Sequence, residues 1–204
     1  MIEAWFPTLI YYDFLSGIDN ESLSKRAYQM YDESDSSVAT KWECDTWNSL
    51  QYKPFKGDKT DDVINNLIKT TISHVEKYAN EYDADLENYK VVCTDFWFNI
   101  AEYKDYQEFH QHHNNHFSAV YYVDVPPDSC NIVFKSIESI AAGITIPTVK
   151  RSQSIVSGST HTCIYEPKPS LILIFKSNLL HMVEKNHSND SRISIAMNFR
   201  LEPK

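Results

Sequence analysis

Residues 192–201 read Arg-Ile-Ser-Ile-Ala-Met-Asn-Phe-Arg-Leu, and their alternation decides the fold. Successive side chains on an extended strand point to opposite faces. Ile193, Ile195, Met197 and Phe199 therefore share one side, and Arg192, Ser194, Ala196 and Asn198 the other. The first side is apolar enough to require a cover of helices. The second would place an arginine and a serine together inside a barrel. A cation is costly to bury unless it meets an anion. A planar guanidinium with a neighbouring hydroxyl suits a carboxylate. The plainer alternative for Arg192 is a structural salt bridge.

Segments of similar character fill the chain back to Tyr89. They are VVCTDFWFNIAEY (91–103), FSAVYYVDV (117–125), NIVFKS (131–136), GITIPTV (143–149), SQSIVS (152–157), HTCIYE (161–166), SLILIFKS (170–177) and LHMVEK (180–185). Each is short, rich in β-branched and aromatic residues, and bounded by turn formers, which implies a sandwich or closed barrel. The chain before Tyr89 reads differently. Residues 20–33 suggest a helix starting after Asp19 or Asn20. Residues 61–82 suggest a longer one, with Val63, Ile64, Leu67, Ile68, Ile72, Val75 and Tyr78 recurring every three or four positions. Such a stripe needs a sheet or another helix to cover it. The expected architecture is mainly β with N-terminal helices: one domain over 1–204, helical support at about 18–84 and a jelly-roll core at about 89–201, the helices packed on one sheet.

Composition narrows the function. The formal charge of −9 and the lack of any basic cluster argue against nucleic acid as a partner, because that affinity rests on phosphate neutralisation. Four glycines are few, and neither GxGxxG nor GxxxxGK[ST] occurs, so a nucleotide-phosphate loop is not expected. Cys44, Cys93, Cys130 and Cys163 are scattered without a CxxC pair, which argues against a zinc ribbon and suits free thiols in a reducing cytoplasm. The acidic start, broken by Pro7, is not a secretory signal, and no run is long enough to span a bilayer.

The densest chemical signal is Phe109-His110-Gln111-His112-His113-Asn114-Asn115-His116, which holds half of the chain's eight histidines. Residues i and i+2 on a strand face the same way, so His110 and His112 can present two imidazoles to one metal. Imidazole suits iron, zinc, copper and nickel alike. A solvated polar loop that binds nothing is the bland alternative. A second is a His112/His116 pair on one helical face, which is weaker because FSAVYYV begins immediately afterwards. Far downstream, His181 follows the apolar strand SLILIFKS, shortly before Arg192.

The ordered set of HxH before SAVYYV, a distal histidine and an Arg-x-Ser strand resembles the double-stranded β-helix 2-oxoglutarate/Fe(II) oxygenases. It is similar in particular to a group of such oxygenases found in bacteriophages and marine bacteria. That likeness runs from WFPTLIY through WFN and YQEFHQH to LHMV and RISIAMNF. The resemblance implies a cupin-like jelly-roll core, iron(II), 2-oxoglutarate and dioxygen, with succinate and carbon dioxide as co-products. It implies iron ligands at His110, His112 and His181, and Arg192 on the far carboxylate of 2-oxoglutarate with Ser194 as companion. Tyr122 and Asn99 match positions that lie near the co-substrate in related enzymes, though each also reads as an ordinary core or backbone-satisfying residue.

One departure stands out. Most of the superfamily uses two histidines and a carboxylate, whereas here His112 stands at the carboxylate position. Asp105, Glu108 and Asp124 are the nearby carboxylates that could ligate instead, but none lies two residues after His110. The resemblance further implies a hydroxylase acting on a protein side chain, as prolyl hydroxylases do, or on a small molecule. The expected setting is the cytoplasm, that of a bacterial host for a phage-encoded chain, with a second copy of the chain as a candidate partner. Trp97, Tyr103, His113 and His116 are candidates to line the substrate entrance. The competing readings are a cupin-like three-histidine enzyme without 2-oxoglutarate, and a non-catalytic jelly-roll binding or structural phage protein.

Overall fold

Two antiparallel sheets face each other in the computed structural model, which describes residues 7–34, 46–51, 61–136 and 162–204. The larger sheet runs, in spatial order, β1 (Ile10–Phe14), β8 (Leu171–Lys176), β5 (Phe117–Asp124), β10 (Arg192–Pro203), β3 (Tyr89–Ala101) and β2 (Trp47–Asn48). The smaller runs β4 (Gln107–His110), β9 (Leu180–Val183), β6 (Ile132–Lys135) and β7 (Thr162–Tyr165). From β3 to β10 the chain crosses repeatedly between the two sheets, which is the connectivity of a jelly roll. The strands read at 143–149 and 152–157, and Cys44, lie outside the described residues.

β10 is the centre of the large sheet and divides as its alternation requires. Ile193, Ile195, Met197 and Phe199 are each 0% exposed, in one apolar cluster with residues of both helices. Helix α1 (Asn20–Asp32) contributes Leu23 and Ala27, and α2 (Asp62–Asn80) contributes Ile64, Leu67, Val75 and Tyr78. Fully burying one such side chain stabilises by roughly 1.5–3 kcal/mol, so this interface is the main support of the sheet. Both helices start on an aspartate cap. The Asp19 carboxylate accepts the Ser22 N–H at 3.0 Å, and the Asp61 carboxylate accepts that of Ile64 at 3.2 Å. The turn into α1 passes through Gly17 at φ +72°, a conformation that favours glycine.

Two strands were not expected. β1 pairs with β8, and β2 pairs with β3 opposite Asn99 and Ile100. Both are short edge elements whose pairing comes from the sheet they join rather than from their own pattern. The inner face is set by register. Ser194 stands opposite Asn99 on β3 and Tyr122 on β5, and Ala196 opposite Trp97 and Val120. Asn198 stands opposite Asp95 and Ser118. Asn99, Ser194 and Tyr122 thus form one polar row across three strands, facing the small sheet.

Candidate metal centre

His110 is the last residue of β4, and the ladder sets it directly opposite His181 on β9. The sheet therefore aims both rings, whose centroids lie 4.2 Å apart. His112 sits two residues past the end of β4, in the loop that leads to β5. Its N–H donates to the Ser177 carbonyl at 2.8 Å, and its ring comes to 5.3 Å from His110 and 5.2 Å from His181. Trp97 packs against it at 5.6 Å, while Phe134 and Phe175 wall in His181. One ring nitrogen from each histidine can be chosen so that all three lie within 4.8 Å of one another.

The protonation state suits ligation. Burial pushes all three imidazoles down: His110 below its usual value, His112 to about 4, and His181 well below 6.5. Each is therefore neutral near pH 7 and keeps a lone pair. His110 Nδ1 lies 2.7 Å from the Glu108 carbonyl and His181 Nδ1 lies 2.8 Å from that of Leu179. A carbonyl can only accept, so both Nδ1 atoms carry the proton and both Nε2 atoms offer lone pairs to the cluster. Backbone carbonyls commonly orient metal-binding histidines in this way.

Along the inner face from the histidines stands Arg192, 3% exposed. Its guanidinium lies 5.7 Å from the Tyr122 ring centroid, and Nη1 reaches the Cys130 carbonyl at a long 3.3 Å. Among the described residues its buried Nε has no hydrogen-bond partner. Burial pushes the Tyr122 phenol up, so it remains a donor. Among the described residues the side chains of Tyr122, Ser194 and Asn99 have no hydrogen-bond partner in the protein, and all three line the same cavity as Arg192 and the histidines. The empty space there, mouth included, is about 590 Å³. A buried cation beside hydrogen-bond donors at one end, and three imidazoles at the other, suits an anion that also reaches a metal.

Asp105, Glu108 and Asp124 do not belong to the histidine cluster. The Asp105 carboxylate accepts the Glu102 N–H at 2.8 Å, and Asp124 is exposed. Of the expected entrance residues only Trp97 lines the cavity. Tyr103, His113 and His116 are exposed, and His116 Nδ1 accepts the Leu201 N–H at 3.1 Å. No helix forms around His112 and His116, which removes the helical metal pair. Thr46, Tyr106, Gln107 and Phe175 also line the cavity but were not foreseen. Phe175 was legible, since it alternates with Leu171 and Leu173 on the inner face of β8.

Comparison with known proteins agrees with this geometry. A family model described as "Putative 2OG-Fe(II) oxygenase" matches residues 95–198, just over half the chain, and the chain belongs to that family. It is a 2-oxoglutarate/iron(II)-dependent oxygenase, and its cofactors are iron(II) and 2-oxoglutarate. No curated protein matched the sequence. Among solved structures, a prolyl-4-hydroxylase from Pseudomonas putida superposes with a TM-score of 0.61 at 12% identity, covering 95% of this chain and 92% of that one. The α-ketoglutarate-dependent epimerase SnoN from nogalamycin biosynthesis gives 0.63 at 11%, covering 95% and 76%. A Trichoplax adhaerens prolyl hydroxylase, solved with a peptide of hypoxia-inducible factor, gives 0.60 at 12%, covering 94% and 82%. These identities speak for a shared fold. Among the described residues no helix is long and apolar enough to cross a membrane.

Proposed function

We propose that His110, His112 and His181 hold the iron, that Arg192 takes the far carboxylate of 2-oxoglutarate, and that the chain hydroxylates a protein side chain in the manner of prolyl hydroxylases. The observation that carries the assignment is the pairing inside one cavity of three neutral imidazoles, two of them oriented by backbone carbonyls, with a buried arginine whose Nε has no partner among the described residues. The residues present fit both groups. Three neutral ligands leave the metal's charge unreduced, which suits a dianionic co-substrate. A guanidinium beside a tyrosine and a serine hydroxyl suits a carboxylate.

Iron(II), 2-oxoglutarate and dioxygen together supply the oxidative chemistry, with succinate and carbon dioxide released. The protein's own groups bind and orient. Arg192, Tyr122 and Ser194 would hold one end of the dicarboxylate and Asn99 would offer an amide to it, while Trp97, Phe134 and Phe175 pack their rings against the imidazoles. A three-histidine enzyme without 2-oxoglutarate gives Arg192 no anion to meet, and family membership argues against it.

The prolyl-hydroxylase direction rests on likeness of fold to two such enzymes over most of both chains. Anaerobic titration of 2-oxoglutarate into the iron(II) protein should produce a visible metal-to-ligand charge-transfer band. Screening proline-containing peptides for substrate-dependent succinate should then give turnover. A band without peptide turnover, but with turnover of a small molecule, would keep the co-substrate site and discard the side-chain substrate.

A further inference from the structure

The sheet aims two of the three imidazoles and leaves the third to a loop. His112 lies past the last ladder pair of β4, so its position depends on whatever holds residues 111–116. Ser177, 1% exposed, is the keystone of that hold. Its carbonyl accepts the His112 N–H at 2.8 Å and its own N–H donates to the His116 carbonyl at 3.1 Å. The His116 N–H in turn donates to the Phe199 carbonyl at 2.9 Å on β10. Asn114, at φ 64°, makes the sharp turn between these anchors.

Behind Ser177 runs a directed chain of buried polar groups. Ser118 Oγ donates to Asn198 Oδ1 at 2.8 Å, so at its 2.8 Å contact with Ser177 it must accept. The Asn198 amide then donates to Asp95 Oδ2 at 3.2 Å. Asn115, inside the same loop, also directs its amide to Asp95 Oδ2 at 3.5 Å and to the His113 carbonyl at 3.2 Å. The Thr94 hydroxyl closes the ring at 2.8 Å from Asn115 Oδ1. Ser118, Ser177 and Asn198 are 2%, 1% and 6% exposed, and a barrel end could be filled more cheaply with apolar side chains. Asp95 is the terminal acceptor of both branches.

We propose that Asp95, acting through Asn198, Ser118 and Ser177 and through Asn115, is a positioning residue for His112. This rests on His112 being a ligand. A partner hydrogen-bonded directly to a ligand is typically worth roughly 10–100-fold in metal affinity, and one acting through intervening residues belongs at the low end of that range.

The test is titration of the metal-free full chain with cobalt(II), followed by visible absorption and calorimetry, alongside its melting temperature. Wild type should take up one equivalent, and His112→Ala should not, which checks the underlying reading separately. Asp95→Asn should bind cobalt roughly tenfold more weakly and with displaced ligand-field bands, at a melting temperature near wild type. Ser118→Ala keeps the charge but breaks the chain; it should shift the bands with a smaller loss of affinity. Asp95→Glu should recover part of the affinity. Wild-type affinity and an unchanged spectrum in both folded Asp95→Asn and Ser118→Ala would overturn the proposal, and if Asp95→Asn does not fold, Ser118→Ala decides alone.

Discussion

Replacing Arg192 with methionine separates a co-substrate anchor from a structural residue, and its magnitude follows from what surrounds the guanidinium. Arg192 is 3% exposed and, among the described residues, has one long hydrogen bond, a tyrosine ring at 5.7 Å and a buried Nε without a partner. Breaking a buried, hydrogen-bonded charge pair by removing one partner costs roughly 3–5 kcal/mol. Tyr122 and Ser194 remain to receive the carboxylate, so the lower part of that range applies. At about 1.4 kcal/mol per decade, 2-oxoglutarate affinity should fall by roughly two to three orders of magnitude. Iron binding should survive, because no imidazole is touched. Without co-substrate the guanidinium is a buried cation with no ion-pair partner among the described residues, so methionine should leave the melting temperature of the free protein equal or higher. With 2-oxoglutarate present, the variant should lose most of the thermal shift that wild type gains. The assay is the anaerobic charge-transfer titration together with melting curves, each with and without 2-oxoglutarate. Unchanged 2-oxoglutarate affinity in a folded, iron-loaded Arg192→Met protein would refute the assignment; a large fall in stability of the free protein would instead identify a structural arginine.

The other expectations use the same preparations. His110→Ala, His112→Ala and His181→Ala should each abolish tight iron binding while circular dichroism stays near wild type, whereas His113→Ala and His116→Ala should bind normally. Tyr122→Phe removes one hydroxyl from the carboxylate end and should weaken 2-oxoglutarate by roughly ten- to a hundredfold, with iron affinity unchanged by calorimetry. Leu67→Ala opens a cavity in the helix–sheet interface, where Leu67 is 0% exposed, and should cost roughly 2–5 kcal/mol in urea denaturation. In the metal-free protein the three imidazoles titrate below their unfolded value of roughly 6.5, His112 at about 4. The unfolded chain therefore takes up protons first, and stability should be full above roughly pH 6.5 and fall as pH drops toward 4; a flat profile over that window would contradict neutral, buried histidines.

Alternation made most of this legible before any coordinates. The two faces of β10, the apolar stripe of α2 and the HxH before β5 each carry a period that a single sequence displays. What the sequence hid was pairing between distant segments. β1 and β2 become strands because β8 and β3 offer edges to them, and no local pattern announces an edge. The inward polar row was only half readable. Ser194 and Asn198 declared their side through Arg192, yet Asp95 and Ser118 join them only through registers with β3 and β5. His112 was expected on a strand and lies beyond one. Spacing of i and i+2 pointed to His112 beside His110, and in the structure the loop clamp, not the pleat, brings that ring close to the other two.

That displacement bears on why a histidine can stand where most of the superfamily has a carboxylate. An aspartate there would lower the net charge of the metal and its ligands by one unit, and a metal ion's charge dominates the local electrostatics. On the proposed set of three imidazoles the full charge of iron(II) would remain, with Arg192 adding another positive charge inside the same cavity. Such a cavity would be unfavourable when empty and favourable when it holds a dianion, so under this assignment the co-substrate would complete the charge balance of the site rather than merely occupy it. The surrounding chain, at −9, sets the long-range field, which attracts metal cations and opposes the approach of a free dicarboxylate. Metal uptake should therefore precede co-substrate binding. Raising ionic strength should speed 2-oxoglutarate association while slowing that of iron, and the opposite salt dependence would place the controlling charges in the cavity rather than on the surface.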